Sequence, residues 1–397
     1  MKKIGFVTPW YGENIPGGME AELRGLVKNL HRSGMRLEIL TTCVEKFLSD
    51  WNCNFYPAGY TIENEIPIRR FPVRQRDSAA FHAVNYKLMR NLPVTEEDEV
   101  VYTREMINSP DLYTWLKEKA DDYSLFVFIP YMFGTTYYGL AINPEKSVLI
   151  PCLHDESYIY MQIFKRLFPQ IKAMIFYAEP EMRLAECVYN LGSVNTVVLG
   201  AGVDTSIQGD KTAFYNKYRI TKPFVLYAGR KDAGKNINLL LKYFTQYKKW
   251  NQNYLQLILI GGGNIDIPQD IKNDVTDLGF IDIQDKYNAY SSAALLCQPS
   301  VHESFSLVVM ESWLCGRPVL VHSDCTVTKD FVQKSNGGLY FKTYYEFEAC
   351  INYILSHNDT ASAMGRQGKN FVAQNFAWNV IVDRYTRFFK ELCGETA

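Results

Sequence analysis

Long hydrophobic runs are missing from this chain of 397 residues. No stretch approaches the about 18 consecutive apolar residues that a membrane-spanning helix needs. The apolar stretch over residues 4–7 is also too short for the core of a signal peptide, and it is more typical of a buried strand. The sequence therefore predicts a cytoplasmic protein, for which any contact with the inner membrane surface would be peripheral.

A surplus of charge of one sign is also absent. Lys and Arg together number 42 and Asp and Glu 43, which gives a formal net charge of −1 at pH 7. A chain so close to neutrality lacks the broad positive surface that nucleic acid binding requires. We therefore expect no nucleic acid partner, and any contact with phosphate must depend on a few placed cations.

Metal-binding cysteine spacings are missing as well. None of the nine cysteines forms a Cys-x-x-Cys pair, and no zinc-type spacing occurs. Several of them, such as Cys152 and Cys297, lie in or beside apolar stretches, where a thiol behaves as a small hydrophobe. The cysteines are therefore expected to be reduced, in agreement with a cytoplasmic location.

The apolar residues form short runs that alternate with segments of helical periodicity. Continuous apolar strands between helices predict parallel sheets covered on both faces. The pattern lapses between residues 200 and 221, which places a domain boundary near Asp204. We expect an α/β domain over 1–204, a second over 205–375, and an amphipathic helix in 376–397 that packs back onto the first. The predicted strands are 4–8, 36–41, 125–129, 147–151, 196–199, 224–229, 255–261, 294–298 and 318–321, and residues 43–111 follow no clear pattern.

Two cations follow the first predicted strand of the second domain. Arg230 and Lys235 stand at the carboxyl end of a parallel strand, where doubly wound sheets bind ligands. They could neutralise a diphosphate leaving group, although a solvated basic loop is an equal alternative. The glycine and lysine spacing from Gly229 approaches that of a P-loop. Asn236 stands where Ser or Thr must hold magnesium, so a P-loop is not predicted.

The segment from His302 to Glu311 is the strongest local pattern. A helix is expected to begin near Ser304 or Phe305, and its first amides, those of residues 304–307, would favour a phosphate or a polarised hydroxyl. Glu303 and Glu311 are two helical turns apart and could lie along one side, where a glutamate can accept two ribose hydroxyls. The structural alternative makes the first a partner of the helix dipole and the second a solvated residue.

The first domain carries two further candidates. Gly17 and Gly18 lie between a strand and a helix, where the backbone can approach an anion, but a tight turn is the simpler explanation. His154, followed by Asp155 and Glu156, comes after the strand predicted over 147–151. A histidine there could donate to a sugar hydroxyl, and a structural polar residue is an equal alternative.

Together these motifs resemble those of the retaining glycosyltransferases of family 4, which have two facing Rossmann-like domains, the B-type (GT-B) architecture. The motifs occur in family order over most of the chain. One departure is the segment 199–201, Leu-Gly-Ala, where the family usually has Pro-Asn before Gly-Val-Asp. The matching motifs are Gly17-Gly18, His154-Asp155, Gly202-Val203-Asp204, Gly229-Arg230 with Lys235, Gly279-Phe280, and the pair Glu303 and Glu311.

The resemblance implies a role for each matched residue. Arg230 and Lys235 would bind the diphosphate of a nucleotide-sugar and stabilise its departing charge. Glu311 would hold the ribose, and Glu303 would face the donor sugar. The remaining implied contacts are those of the Ser304, Phe305, Ser306 and Leu307 amides with sugar hydroxyls and phosphate, of Gly18 beside Gly17 with the distal phosphate, of His154 with the transferred sugar, and of Phe280 and Ile281 with the base.

The resemblance also implies the reaction. The leaving phosphate would help to deprotonate the acceptor on one face of the donor sugar, so no side-chain nucleophile is needed. No Asp-x-Asp triplet occurs, which counts against the metal-dependent glycosyltransferase architecture. No metal and no cofactor is therefore expected, because the two cations would replace the metal. The family suggests UDP before GDP as donor nucleotide, and a glycan or lipid-linked saccharide as acceptor, in envelope polysaccharide biosynthesis.

Three other functions share parts of this pattern. A nucleotide-sugar epimerase of the same fold is disfavoured by the complete pair of glutamates. A glycan phosphorylase is disfavoured by the short chain and the lack of a pyridoxal-lysine context. A non-catalytic nucleotide-sugar-binding protein would keep the same residues. The epimerase and the binding protein stay open as alternatives.

Overall fold

The computed structural model describes residues 2–251 and 253–395, and the chain divides into two compact units. Unit 1 comprises Met1–Gly202 together with Asn379–Ala397, and unit 2 comprises Val203–Trp378. The division lies close to Asp204, where the apolar pattern of the sequence lapses. The outermost ends of the expected domain ranges, residues 1 and 396–397, lie outside the described residues.

The described part of unit 1 is built on an eight-stranded sheet. Its strands are β1 (Lys3–Thr8), β2 (Leu37–Thr42), β3 (Gly59–Glu63), β4 (Ile66–Phe71), β5 (Tyr123–Phe128), β6 (Ser147–Leu149), β7 (Ala173–Phe176) and β8 (Asn195–Val198). Their spatial order is β3-β4-β2-β1-β5-β6-β7-β8. Neighbouring strands run parallel except β3, which pairs antiparallel with β4.

Helices cover the sheet of unit 1. The first of them buries Leu23, Leu26, Val27 and Leu30, which recur at the spacing of one helical face. These helices are α1 (Gly18–Arg32), α2 (Ser78–Met89), α3 (Glu96–Arg104), α4 (Pro110–Glu118), α5 (Gly134–Leu140), α6 (Gln162–Leu167) and α7 (Glu179–Val188).

The hairpin of β3 and β4 is absent from the sequence prediction, and it makes the sheet of unit 1 mixed rather than wholly parallel. Strand β3 leaves most of its side chains exposed, and β4 alternates between buried and half-buried residues. Neither strand therefore forms the continuous apolar run that the prediction relied on. The two strands are joined by Asn64 and Glu65, whose φ angles are 50° and 70°, as in the tight turns of hairpins.

Unit 2 has a six-stranded sheet, and every described pair of neighbouring strands in it is parallel. Its strands are β9 (Phe224–Ala228), β10 (Gln256–Ile260), β11 (Val275–Asp277), β12 (Leu295–Gln298), β13 (Val319–His322) and β14 (Gly338–Phe341). The order β11-β10-β9-β12-β13-β14 reverses direction between β9 and β12. The helices are α8 (Lys211–Tyr218), α9 (Ile237–Trp250), α10 (Ile283–Ser292), α11 (Leu307–Leu314), α12 (Thr326–Ser335), α13 (Tyr344–Ser356) and α14 (Asn358–Asn375).

The last helix, α15 (Trp378–Leu392), returns to unit 1. The Phe389 ring lies edge-on to Phe6 of β1, with ring centroids 6.4 Å apart. The Tyr385 hydroxyl donates a hydrogen bond to the Gly200 carbonyl at 3.3 Å. The prediction of two doubly wound α/β domains with a terminal helix that packs on the first is therefore confirmed. Of the helices in residues 2–251 and 253–395, none is both long and apolar enough to cross a membrane.

Candidate functional site

The carboxyl edge of the sheet of unit 2 carries most of the residues that the sequence singles out. Strands β9, β10, β11 and β12 run in one direction, so the loops that begin at residues 229, 261, 278 and 299 lie at the same edge. The order of the strands reverses between β9 and β12. Doubly wound sheets bind their ligands at such a switch point.

Lys235 and Glu303 form an ion pair across this switch point. Lys235 Nζ lies 2.7 Å from Glu303 Oε1, and 24% of the lysine and 10% of the glutamate side chain are exposed. The same carboxylate oxygen accepts a hydrogen bond from Gln298 Nε2 at 3.3 Å. An ammonium group has three donors. Lys235 can therefore hold Glu303 and still donate to the oxygens of a phosphate.

Arg230 belongs to the same loop as Lys235 and is exposed. Its Nε lies 3.3 Å from Asp232 Oδ2. Its carbonyl accepts a hydrogen bond from the Tyr227 hydroxyl. Burial, followed by the nearby charges of Asp232 and Glu303, raises the pKa of Tyr227 well above its usual value, so the phenol remains a donor. The backbone of the loop is thus fixed, while the guanidinium stays accessible to an anion.

The loop after β12 corrects one expectation. Helix α11 begins at Leu307, and Ser306 before it has a left-handed conformation with φ 77°. Residues 304–306 therefore form a turn ahead of the helix instead of its first residues. Glu303 lies outside the helix and Glu311 within it, so the two glutamates do not lie along one side of a helix. The left-handed residue, which the sequence pattern does not reveal, is the reason.

The start of α11 has the properties of an anion site. The first amides of a helix have no partner within the helix, and no side chain of the described residues caps those of α11. Within the described part of the chain, the Ser306 hydroxyl is buried and has no hydrogen-bond partner. Ser304 is half-buried, and the Phe305 ring is buried edge-on to Phe376. Unfilled donors beside a buried hydroxyl suit a phosphate or a sugar hydroxyl.

Glu311 is buried and held by two side chains of α10. Lys286 Nζ lies 2.6 Å from Glu311 Oε1, and the Tyr290 hydroxyl donates to Oε2 at 2.9 Å. Burial, followed by the charge of Glu311, raises the pKa of Tyr290 well above its usual value. Glu311 is therefore a partnered carboxylate and not a solvated helix residue. Lys286 and Tyr290 are absent from the sequence prediction, although their spacing of four residues places them on one face of a helix.

Phe280 and Ile281 lie in the loop after β11. The Phe280 side chain is 75% exposed, and Ile281 beside it is half-buried. A Cβ atom added to Gly262 would lie 3.3 Å from the Phe280 ring, so this ring covers a backbone that has no side chain. An exposed aromatic ring on such a support offers a flat surface on which a base can stack.

Gly17 lies in the turn between β1 and α1 in unit 1, and Gly18 is the first residue of α1. Gly17 has φ 145°, a conformation that favours glycine, and a Cβ there would lie 1.9 Å from Glu20 Oε2, so the Glu20 side chain would also have to move. The other oxygen of Glu20 accepts a hydrogen bond from Trp10 Nε1 at 2.9 Å. A carboxylate therefore already complements the dipole at this helix start. The turn explains Gly17, and the phosphate contact of Gly18 stays a prediction.

His154 follows β6 at the carboxyl edge of the sheet of unit 1. Its Nδ1 lies 3.6 Å from Glu156 Oε1. The neighbouring Asp155 accepts a hydrogen bond from the Tyr160 hydroxyl at 2.7 Å. His154 is thus half-buried beside a carboxylate that can orient its ring. Its contact with a transferred sugar stays a prediction.

The backbone ahead of His154 is fixed by a buried carboxylate that the sequence prediction missed. Glu181 accepts the amide of Leu153 at 2.7 Å and that of Tyr177 at 2.9 Å. Burial raises the pKa of Glu181 to about 8. Cys152, two residues before His154, has a left-handed φ of 57°, a conformation that costs free energy in a non-glycine residue. This loop is therefore held in one strained conformation.

In the loops described above for both units, most polar side chains are paired, either as a lysine with a carboxylate or through a hydrogen bond. Among the described residues, no group of three or more His, Cys, Asp or Glu side chains is placed to hold a metal ion. Arg230 and Lys235, in the loop after β9, carry positive charges that a diphosphate could contact, and the described residues also include Lys286, which pairs with Glu311.

Known proteins share both the fold and part of the sequence. Residues 210–371 match the family model of the glycosyl transferases group 1. This range lies within unit 2 and contains Arg230, Lys235, Glu303 and Glu311. The narrower assignment to family 4 stays a prediction.

A curated relative shares sequence with part of the chain. Trehalose synthase from Rubrobacter xylanophilus is 26% identical over 194 residues, which span 44% of this chain and 45% of that protein. The chain thus spans about half the length of the curated relatives it matches. The sequence likeness to these relatives therefore covers only part of the chain.

Solved structures resemble the whole chain. Sucrose-phosphate synthase from Thermosynechococcus elongatus has a TM-score of 0.74 at 17% identity, covering 99% of this chain and 100% of that one. HepE from Anabaena in complex with UDP and glucose has a TM-score of 0.69 at 15% identity, covering 98% and 100%. At such identities the likeness establishes the fold, which is that of the GT-B glycosyltransferases.

Proposed function

We propose that the chain is a glycosyltransferase that transfers a hexosyl group from a UDP-sugar. The observation that carries this proposal is the Lys235–Glu303 pair at the switch point of unit 2. It places a cation suited to a leaving diphosphate beside a carboxylate suited to sugar hydroxyls. The match of residues 210–371 to the group 1 glycosyl transferases supports the reaction class. The UDP in the HepE complex supports the donor nucleotide.

In the proposed reaction, the bond between the anomeric carbon and the β-phosphate oxygen breaks, and UDP leaves with the electron pair. Arg230 and Lys235 neutralise the charge that develops on the diphosphate. The acceptor oxygen bonds to the anomeric carbon on the face that UDP leaves, and its proton passes to a phosphate oxygen. No side-chain nucleophile takes part, the configuration is retained, and the two cations replace a metal ion.

Within unit 2 the donor would have three contact regions. The start of α11, with the buried Ser306 hydroxyl, would receive phosphate or sugar oxygens. Glu311 would accept the ribose hydroxyls, sharing its carboxylate with Lys286 and Tyr290. The exposed Phe280 ring would stack on the uracil. These contacts extend along one edge of one sheet.

The acceptor is proposed to be a glycan or a lipid-linked saccharide of the cell envelope, and the enzyme to work in the cytoplasm, with at most peripheral membrane contact. This part of the proposal rests on the family resemblance of the motifs. Transfer from UDP-glucose to soluble oligosaccharides and to lipid-linked saccharides in vesicles would test it. Transfer to small soluble acceptors alone would contradict the lipid-linked acceptor.

Calorimetric titration of the chain with UDP, GDP and ADP, each with and without EDTA, tests the donor assignment. We expect UDP to bind most tightly and EDTA to leave its affinity unchanged, because side chains supply the charge. Binding of no nucleotide, or binding that requires magnesium, would refute the assignment. Incubation with UDP-glucose alone identifies an epimerase, which would release an altered nucleotide-sugar. A binding protein would bind the donor and release no UDP even with acceptors present.

A further inference from the structure

A buried lysine stands beside Arg230 and is not used by the reaction described above. The Lys231 side chain is only 1% exposed, and its Nζ lies 2.7 Å from Asp277 Oδ1. The same ammonium donates to the Gly261 carbonyl at 2.7 Å. Lys231 follows β9, Gly261 follows β10, and Asp277 ends β11. One ammonium group therefore joins the ends of three neighbouring strands.

Backbone hydrogen bonds complete the same connection. The Lys231 amide donates to the Gly262 carbonyl at 2.8 Å, and the Gly261 amide donates to the Gly279 carbonyl at 2.8 Å. The Gly279 amide in turn donates to Asp277 Oδ1 at 2.9 Å. A Cβ at Gly261 would lie 2.1 Å from the Gly229 carbonyl oxygen, so the loops approach each other as closely as glycine allows. The three loops form one connected body.

This body carries the exposed aromatic ring of the loop after β11. Phe280 lies directly after Gly279 and covers Gly262. The carbonyls of both glycines accept hydrogen bonds that join the three loops. The position of the ring is therefore set by the loops below it. Burying a lysine is costly unless its charge is paired. Here the lysine is buried and the Asp277 side chain is 26% exposed. We expect such a pair to define the arrangement of the loops more than it adds to stability.

We propose that Lys231, together with Asp277, is a positioning residue that fixes the platform of Gly262 and Phe280 for the flat base of the donor nucleotide. The proposal rests on the proposed function and deepens it. Phe280 would contact the base of the donor, and Lys231, which touches no substrate, would hold Phe280 in position. Arg230 and Lys235 would then serve the diphosphate half of the donor. Different residues of the loop after β9 thus have separate tasks.

The test compares uridine with UDP as calorimetric probes of the full chain. In Lys231→Met we expect both affinities to fall by the same factor, about tenfold, because stacking of a base on an aromatic ring contributes to both. In Arg230→Ala we expect UDP affinity to fall and uridine affinity to stay. Wild-type binding of UDP is the check on the proposed function. If the unchanged chain binds UDP and Lys231→Met keeps the wild-type affinity for uridine, this inference fails and the proposed function stands.

A double variant separates positioning from stability. Lys231→Met combined with Asp277→Asn removes both charges, so thermal stability should recover relative to Asp277→Asn, which leaves the buried ammonium unpaired. Positioning predicts that uridine affinity stays low in the double variant. Recovery of uridine affinity together with stability would overturn the inference. If the lysine variants fail to fold, Phe280→Ala serves instead, because its ring is exposed; uridine affinity equal to the wild type in that variant would also overturn the inference.

Discussion

The role of Lys235 gives the sharpest prediction for the proposed reaction. Lys235→Met keeps an unbranched side chain and removes the charge. Loss of one contact to developing transition-state charge lowers turnover about 100-fold or more, or about 3 kcal/mol. Stability must be measured alongside turnover, because the change leaves Glu303, whose side chain is only 10% exposed, without its cation. Glu303 keeps its hydrogen bond from Gln298, so we expect a stability cost of about 1–3 kcal/mol.

The assay measures kcat for UDP release from UDP-glucose, with Tm measured on the same samples. Lys249→Met is the matched control, because Lys249 also forms an ion pair, with Asp270 at 3.0 Å. It lies near the end of α9, and α9 leads away from the carboxyl edge where β9 ends. We expect wild-type kcat in this control. A Lys235→Met enzyme with wild-type kcat, or one whose loss of kcat matches a loss of folded protein, would refute the assigned role.

Three further predictions concern the surroundings of this pair and the interior of unit 1. Glu311→Ala should weaken UDP binding about tenfold or more in calorimetry, since it removes the acceptor of the ribose hydroxyls; unchanged affinity would exclude that contact. Tyr290→Phe should lower the free energy of unfolding by about 1 kcal/mol in urea titrations and weaken UDP binding less than Glu311→Ala does; a larger loss than in Glu311→Ala would show that the phenol itself binds the nucleotide. Burial raises the pKa of Glu181 from 4.5 to about 8, so between these pH values the folded chain holds a proton that the unfolded chain has released. The contribution of Glu181 to the free energy of unfolding is complete below pH 4.5 and is lost as the pH rises to about 8, at no more than about 1.4 kcal/mol per pH unit. Urea titrations between pH 5 and 8 that show no decline in the free energy of unfolding would contradict this.

Apart from β8, whose residues are half-buried or exposed, the strands that the sequence predicts are nearly all buried. Strands β1, β9 and β10 contain continuous apolar runs, and β2 is buried throughout although it includes Glu38, as expected where both faces of a parallel sheet are covered. Other strands were missed for different reasons. Strand β11 has only three residues and ends in Asp277, and β14 begins with a glycine and leaves Tyr340 exposed. Strand β7 is fully buried and apolar over four residues, the same length as the predicted strands β12 and β13, so here the signal was present and the prediction missed it.

Some residues of the candidate site could also be predicted from the sequence, and others could not. Arg230, Lys235, Glu303 and Glu311 belong to local motifs, so their presence at strand ends could be read from the sequence. Their partners could not, because Lys286 meets Glu311 across 25 positions of sequence and no local pattern encodes such a contact. The left-handed Ser306, which moves Glu303 off the helix, is also invisible in a pattern of apolar residues. Backbone conformation and long-range pairing are thus what the structure adds.

Charge pairing at the carboxyl edge of unit 2 bears on how a nearly neutral chain could bind a diphosphate. Lys231 pairs with Asp277, Lys235 with Glu303, and Lys286 with Glu311, at 2.6–2.7 Å. These pairs add no net charge, so attraction of an anion must come from directed donors. Lys231 is buried, but the ammonium groups of Lys235 and Lys286 keep N–H groups beyond the one given to the carboxylate, and the amides before α11 point to no acceptor within their helix. Such donors are held in place before a ligand arrives, so little free energy is spent on reorienting them as negative charge develops. The carboxylates that hold the lysines therefore also contribute to catalysis, because a cation fixed by its partner stabilises a leaving phosphate better than a mobile one.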